Sequence, residues 1–273
     1  GGAPKRDDEL AGGAESQVES LRLENGIRVL LKRHSHLPMV NMQAYIMGAS
    51  LVDTPQTAGR SSLVAAMLDK GTAGRSAREI AEFFDSIGGS FGAKAGRSTV
   101  YASATCLSDD FPEVARLFAE CFTRPDFPAE EFEKVKTLAL GAIARRKDSA
   151  QGEVMELFYD ALPAESPYHI NQGGKTETIE SLTVDDLRAY HARYFVPQNM
   201  LVTVFGDIDP DAALEMVKQH FGQLKPAADF QPVNVDRENA IPKTLVRHKQ
   251  IGKPTGMVML GYQGTSVRDK EDY

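Results

Sequence analysis

Between Leu21 and Phe221 the chain switches back and forth between two hydrophobic periods, and no all-helical or all-strand fold can satisfy both. Leu21-Arg22-Leu23-Glu24-Asn25-Gly26-Ile27-Arg28-Val29-Leu30-Leu31 alternates apolar and polar residues on either side of Asn-Gly, the pair that best tolerates the positive φ angles of a tight hairpin. Val40, Met42, Ala44 and Ile46 then share one face of a strand running from Met39 to Gly48. From Gly59 to Thr72 the spacing changes: Leu63, Val64, Met67 and Leu68 recur every three or four residues, which predicts a buried helix stopped by Gly71. Ser76 with Glu79 forms a capping box ahead of Ile80, Phe83, Phe84 and Ile87, a second apolar helical stripe that ends at Gly88-Gly89. Ser90 to Leu107 returns to alternation around a turn at Ala95-Gly96-Arg97, a second hairpin.

The second half continues the pattern. Pro128 and Glu130-Glu131 open a long helix to about Asp148, whose buried side reads as Phe132, Val135, Leu138 and Ala142. A helix over Glu153–Leu162 and a surface loop from Pro163 to Gly174 follow. Thr183 with Asp186 caps a helix through Tyr190, and Pro197-Gln198-Asn199 introduces the strand Met200–Phe205, closed by Gly206-Asp207. Asp211–Phe221 is a last amphipathic helix with Leu214, Val217 and Phe221 inward. Residues 1–17 are too poor in apolar side chains to be buried and read as a linker or tag remnant outside the fold. Residues 18–224 form the main domain, and the polar, proline-containing stretch 225–240 reads as an interdomain linker. Strands over Thr244–His248 and Met257–Tyr262 would then begin a second domain, 241–273.

Composition narrows the function classes. With 42% hydrophobic and 25% charged residues the 273-residue chain has the makeup of an ordinary globular protein, so disorder and fibrous folds are excluded. The net charge of -7 is spread without long single-sign runs, which argues against a nucleic-acid groove or a membrane-surface patch. No apolar run reaches the ~20 residues that a membrane span requires, so no membrane insertion is expected. Cys106 and Cys121 lack Cys-x-x-Cys spacing and read as buried free thiols. They leave the compartment open, bacterial periplasm and cytoplasm included.

The run from Gly59 to Thr72 is chemically empty, yet its frame resembles the active-site helix of the inverted-motif zinc peptidases, the family of pitrilysin, insulysin and mitochondrial processing peptidase. There the pattern is Gly-x-x-His-x-x-Glu-His-Met-Leu-Phe-Lys-Gly-Thr, in which two histidines ligate zinc and the glutamate activates a metal-bound water. Gly59, Met67, Leu68, Lys70, Gly71 and Thr72 match; the three chemical positions hold Ser62, Ala65 and Ala66. The family's third ligand, a glutamate on the long helix, corresponds to Ala142, and the supporting glutamate seven residues earlier to Val135. The Asn-Ala pair that follows the Gly-Gly motif in active members here reads Gly92-Ala93. The opening Leu-x-Asn-Gly-Ile-x-Val hairpin, Ile87-Gly88-Gly89-Ser90-Phe91, and the distal run through Ser181-Leu182-Thr183, Tyr194, Pro197, Asn199-Met200 and Gly206-Asp207-Ile208-Asp209 are also similar to the family.

The resemblance implies an α+β domain with a mixed, largely antiparallel sheet covered by helices, followed by the start of a second, similar domain. It implies no catalytic residue, metal ligand or cofactor-binding residue in this chain, since losing both histidines and the downstream glutamate leaves no three-ligand set. Zinc is expected instead in a catalytic half, fused or separate, which together with a peptide substrate would be the partner. The noncatalytic half of such a peptidase closes a chamber and contacts substrate; the Arg and Tyr that assist catalysis in those halves match a region after Tyr273. The alternative is an assembly protein of the same fold, as in the core subunits of the respiratory cytochrome complex. Three other features carry less. His34 and His36 share a face of an extended chain without a third ligand nearby. Ser61 or Ser62 as a nucleophile lacks a paired histidine. Gly173-Gly174-Lys175 lacks the strand and glycine spacing of a phosphate loop. His169, His191, His220 and His248 read as surface or hydrogen-bonded histidines.

Overall fold

All the long strands predicted from two-residue alternation lie in one sheet. The computed structural model describes residues 5–6, 18–163, 166, 168–233, 244–252, 256–262 and 264. In chain order its strands are β1 Lys5–Arg6, β2 Glu19–Arg22, β3 Arg28–Arg33, β4 Met39–Met47, β5 Gly71–Thr72, β6 Arg75–Ser76, β7 Ser90–Ala95, β8 Thr99–Leu107 and β9 Met200–Gly206. Its helices are α1 Arg60–Met67, α2 Ala77–Ser86, α3 Phe111–Thr123, α4 Ala129–Lys147, α5 Ala150–Ala161, α6 Thr176–Ser181, α7 Val184–Tyr194 and α8 Pro210–Phe221. The main sheet has seven strands in the order β1-β2-β3-β9-β4-β8-β7, with β5 and β6 a separate pair.

The sheet is mixed and largely antiparallel, as expected: only β3 and β9 run parallel, from Arg28 beside Leu201 to Arg33 beside Gly206. On its other side β9 pairs antiparallel with β4, from Val40 beside Gly206 to Ile46 beside Met200. That junction demands glycine. Gly206 has φ +146, and a Cβ there would fall 2.2 Å from the Met39 carbonyl oxygen.

One sheet face is apolar and helix-covered. Val29, Leu31, Val40, Met42, Ala44, Ile46, Val100, Ala102, Ala104, Val202 and Val204 are all buried there. Over it lie α3 and α8, with Phe111, Phe118, Phe122 and Phe221 each fully buried. Each such side chain contributes roughly 1.5–3 kcal/mol, so α3 is a principal part of the core. The opposite face is polar and half-buried: Asn41 Nδ2 donates to Ser103 Oγ at 3.0 Å and Thr105 Oγ1 at 2.8 Å, and Tyr45 stacks on Tyr101. Cys106 and Cys121 are buried free thiols, and burial pushes both pKa values up to about 12, which keeps them protonated and unreactive. No helix among the described residues is long and apolar enough to cross a membrane.

Several details differ from the pattern-based expectation. Lys5–Arg6, read as part of an unstructured linker, pair with Leu21 and Arg22 as a short edge strand; the antiparallel β2 offers them a free row of backbone groups. Gly71 does not stop α1, which ends at Met67; with φ +148 it starts β5 and pairs with Ser76. α3 and the single-turn-and-a-half α6 have no counterpart in the sequence reading. Along α4 the buried residues are Phe132, Val135 and Ile143, whereas Leu138 is 71% exposed and Ala142 is exposed. The described parts of 244–262 contain no strand, because no neighbouring strand is there to pair with them; they lie across α5, where Lys249 Nζ meets Glu153 at 2.5 Å.

His191 ties α7 to α3. Its Nε2 lies 2.9 Å from the Phe122 carbonyl oxygen, an arrangement in which a neutral ring donates, and its ring stacks on Phe195. Burial pushes its pKa down to about 4. The unfolded chain therefore binds this proton more readily than the folded one. Its contribution is complete above pH 6.5 and is lost as pH falls toward 4, on the order of 3 kcal/mol. Chemical denaturation across that range should show His191→Gln with a flatter acid dependence than the wild type; an unchanged slope would remove His191 as its source.

Candidate functional site

The positions that the family resemblance aligns with metal ligands converge on one groove. α1 and α4 pack side by side, and β7 runs along the open flank of α1. The groove between them holds about 490 Å³ and is lined by Ser62, Ala65 and Ala66 from α1, Gly92 and Ala93 from β7, and Val135, Leu138, Ala139 and Ala142 from α4, with Arg146 also on the wall. Sequence reasoning paired Ser62, Ala65, Ala66, Gly92, Ala93, Val135 and Ala142 from three separate segments; the structure brings all of them together.

Why α1 sits where it does follows from a buried network at its first turn. Gly59, at φ +95, offers no side chain to cap the helix. A Cβ on it would lie 2.6 Å from Ile179 Cδ1, so only glycine lets α6 approach this closely. The capping falls to Asp53, whose Oδ2 accepts from the Ser61 hydroxyl at 2.8 Å and the Ser61 backbone N–H at 3.3 Å, while Oδ1 accepts from Arg60 Nε at 3.3 Å. Burial raises the Asp53 pKa to about 6 even against those partners. Arg60 in turn lies over the Tyr190 ring, whose hydroxyl accepts from the Ala49 N–H at 3.0 Å. Ser61 is thus a buried capping partner and not a nucleophile with a base beside it.

The groove's chemistry is mostly that of methyl groups. Ser62 Oγ donates to the Gln172 carbonyl oxygen at 2.8 Å. The rim carboxylate, Asp69, is paired with Lys70 at 3.0 Å. A catalytic zinc takes three protein ligands with imidazole, thiolate or carboxylate donors; Ser62, Ala66 and Ala142 at the three ligand positions supply none, so the residues present do not fit the metal. Among the described residues no group of three His, Cys, Asp or Glu side chains gathers at metal-binding distance. His34 and His36 stand together on an exposed turn with their rings 4.8 Å apart, away from the groove. His169 Nδ1 is 3.1 Å from the Leu162 carbonyl oxygen, and Gly173-Gly174-Lys175 leads into the N-terminus of α6.

Two groove residues escaped the sequence reading. Leu138 fits the helical stripe of a core residue, and the pattern gives Arg146 no role. The available signal was the stripe itself: Val135, Leu138 or Ala139, Ala142 and Arg146 recur at three or four residues, and a stripe that ends in arginine faces a groove as readily as a core. The other polar element of the wall is the loop 171–174, which approaches both Ser62 and Arg146 through backbone carbonyls.

Comparison with known proteins gives a consistent result. Residues 28–168 match the family model described as insulinase, peptidase family M16, and residues 181–273 match that of the peptidase M16 inactive domain. The two matched regions share one sheet, since β9 lies between β3 and β4. A zinc protease of Bacillus subtilis, YmxG, of uncharacterised function, is 27% identical over 256 residues, covering 94% of this chain and 61% of that protein. The probable mitochondrial-processing peptidase subunit beta of Schizosaccharomyces pombe is 22% identical over 270 residues, covering 96% of this chain and 58% of its own length. The chain thus spans about half to 60% of the length of the curated relatives it matches. Among solved structures, the peptidase M16 inactive domain from Pseudomonas fluorescens superposes with a TM-score of 0.74 at 25% identity, over 80% of this chain and 53% of that one. The periplasmic protease PqqL of Escherichia coli shares the fold, with a TM-score of 0.74 at 20% identity over 85% of this chain and 26% of that one.

The convergence of positions 62, 66 and 142 can be checked directly. Ser62 is half-buried and Ala66 and Ala142 are exposed, so larger side chains there have room. The triple variant Ser62→His, Ala66→His, Ala142→Glu should take up about one zinc per chain by elemental analysis, with three ligands of the types zinc favours. Uptake no greater than that of the wild type would show that the three positions do not converge.

Proposed function

The chain belongs to peptidase family M16, the insulinase family, and from that premise we propose that it is the noncatalytic half of a metallopeptidase. It closes a chamber and helps to hold a peptide substrate for a zinc-bearing catalytic half. The observation that carries this reading is the groove beside β7: its walls retain the position of an active-site cleft while its residues lack every ligand. In this reading zinc chemistry belongs to the other half; the names of the relatives, a zinc protease and a probable subunit of a processing peptidase, support zinc peptidase chemistry in the family.

Peptide binding is supported by where β7 lies. It is the terminal strand of the sheet, so its outer backbone N–H and C=O groups have no strand partner among the described residues. An extended peptide satisfies such groups by adding a strand, with backbone hydrogen bonds giving affinity and pockets for alternate side chains giving selectivity. Gly92 sits at the middle of that edge, and a Cβ placed on it would meet nothing within 4 Å, so a ligand backbone can come close. The methyl-lined groove on the same side offers one apolar pocket. The linker expected at 225–240 and the second domain expected from 241 lie partly outside the described residues.

The test is activity of the purified protein on an unfolded peptide, with and without the zinc-bearing half. The protein alone should cleave nothing, and the reconstituted pair should cleave; cleavage by the protein alone overturns the proposal, and a pair no more active than the catalytic half alone leaves the assembly role instead. Gly92→Phe should keep the wild-type melting temperature, because its side chain enters open space, while raising KM of the pair severalfold by blocking the edge.

A further inference from the structure

We propose that Arg146 anchors a carboxylate of the bound peptide, so that the groove selects an extended chain carrying a carboxylate next to an apolar side chain. This rests on the peptide-binding reading of the β7 edge and adds the chemistry of the ligand to it.

Arg146 ends the α4 wall of the groove and also lines a second cavity of about 480 Å³ on its far side, together with Arg145 and the polar side chains of Ser149, Gln151, Asn171 and Gln172. Its guanidinium is therefore reached from an apolar side and from a polar side. Among the described residues its hydrogen bond is from Nη2 to the Gly174 carbonyl oxygen at 2.8 Å, and no carboxylate pairs with it. Its Nε is buried without a hydrogen-bond partner. Lys70, the other cation on the wall, is already matched by Asp69.

An arginine held this way is unusual in its economy of partners. A guanidinium has five N–H donors in a fixed fork, and taking it partly out of water without an acceptor is costly. The fold nevertheless builds a seat for it. Gly173 leaves the space it occupies, since a Cβ there would lie 2.5 Å from Nη1, and the loop 171–174 turns a backbone carbonyl toward Nη2. The donors that remain match a carboxylate, which arginine binds through two parallel hydrogen bonds. The methyl groups of Ala66, Ala139 and Ala142 and the exposed Leu138 then place an apolar surface within the same cavity. Either an acidic side chain or a free C-terminus supplies the required group.

The experiment measures binding by fluorescence anisotropy to the full-length protein with three labelled peptides of one Ser, Thr, Val and Phe sequence. The first ends in an amide, the second in a free carboxylate, and the third is amidated but carries one internal glutamate. At least one acidic peptide should bind about tenfold or more tightly than the neutral one, the effect of a charge-assisted hydrogen bond. Which of the two it is identifies the source of the carboxylate. Arg146→Gln should abolish that difference while leaving the neutral peptide within twofold of its wild-type affinity, and Arg146→Lys should restore part of it. Equal binding of all three peptides to the wild type overturns the inference and leaves the peptide-binding reading standing, a result that needs no variant to fold. Uniform weakening of all three by Arg146→Gln in a protein that melts normally also overturns it. Binding of none of the three overturns both.

Discussion

Every part of this molecule depends on β9 reaching the middle of the sheet. The strand comes from residues 200–206, yet its neighbours are β3 and β4, which are adjacent in the sequence and begin at Arg28 and Met39. Without it, β1 to β3 form one small ribbon and β4, β8 and β7 another, and nothing joins them. With it, Val202 and Val204 complete the apolar face on which α3 and α8 rest. The geometry of that insertion is unforgiving at one point, Gly206, where the backbone passes within contact of Met39 and no side chain fits.

The groove follows from the same scaffold. α1 is held over one end of the sheet by a buried carboxylate, Asp53, which caps it from outside its own turn. α4 is held through Phe132, Val135 and Ile143. Two rigidly placed helices and a terminal strand leave a cleft between them regardless of which side chains line it. In a metal-binding relative, charged ligands in such a cleft are neutralised by the ion; the same charges without the ion would be desolvated and unpaired. Methyl groups at positions 65, 66 and 142 remove that difficulty and leave an apolar recess beside a free strand edge. Arg146, which has no carboxylate partner among the described residues, stands at its end and gives the recess a polarity that the methyl groups lack.

Local signals in the sequence coincide with the elements they specify. The Asn25-Gly26 hairpin, the Ser76–Glu79 and Thr183–Asp186 capping boxes and the proline before α4 each act over four or fewer residues, and each appears where the pattern placed it. The groove positions were legible only because Gly59, Met67, Leu68 and Lys70 to Thr72 preserve a family frame around them; Ser62, Ala65, Ala66 and Ala142 by themselves carry no signal. What was not legible is non-local. α3 is the exception: Glu113, Arg116 and Glu120 recur at helical spacing opposite eight buried residues of its thirteen, a legible stripe that the sequence reading lacks. Leu138 has the spacing of a core residue, and only the position of β7 and α1 reveals that its side of α4 faces a cleft. Strand order, and with it the parallel pairing of β3 with β9, leaves no trace in hydrophobic period at all.

The late arrival of β9 has a consequence for how the protein is made. A ribosome delivers about 150 residues between the end of β4 and the start of β9, roughly 8–30 s of synthesis at ordinary rates. During that interval the edges of β3 and β4 that later flank β9 are both unpaired, two ladders of unsatisfied backbone groups. The nascent polypeptide is thus most vulnerable to pairing with a neighbour before its own missing strand emerges, and its safe production depends on whatever shields that gap in the cell until residue 206 has cleared the exit tunnel.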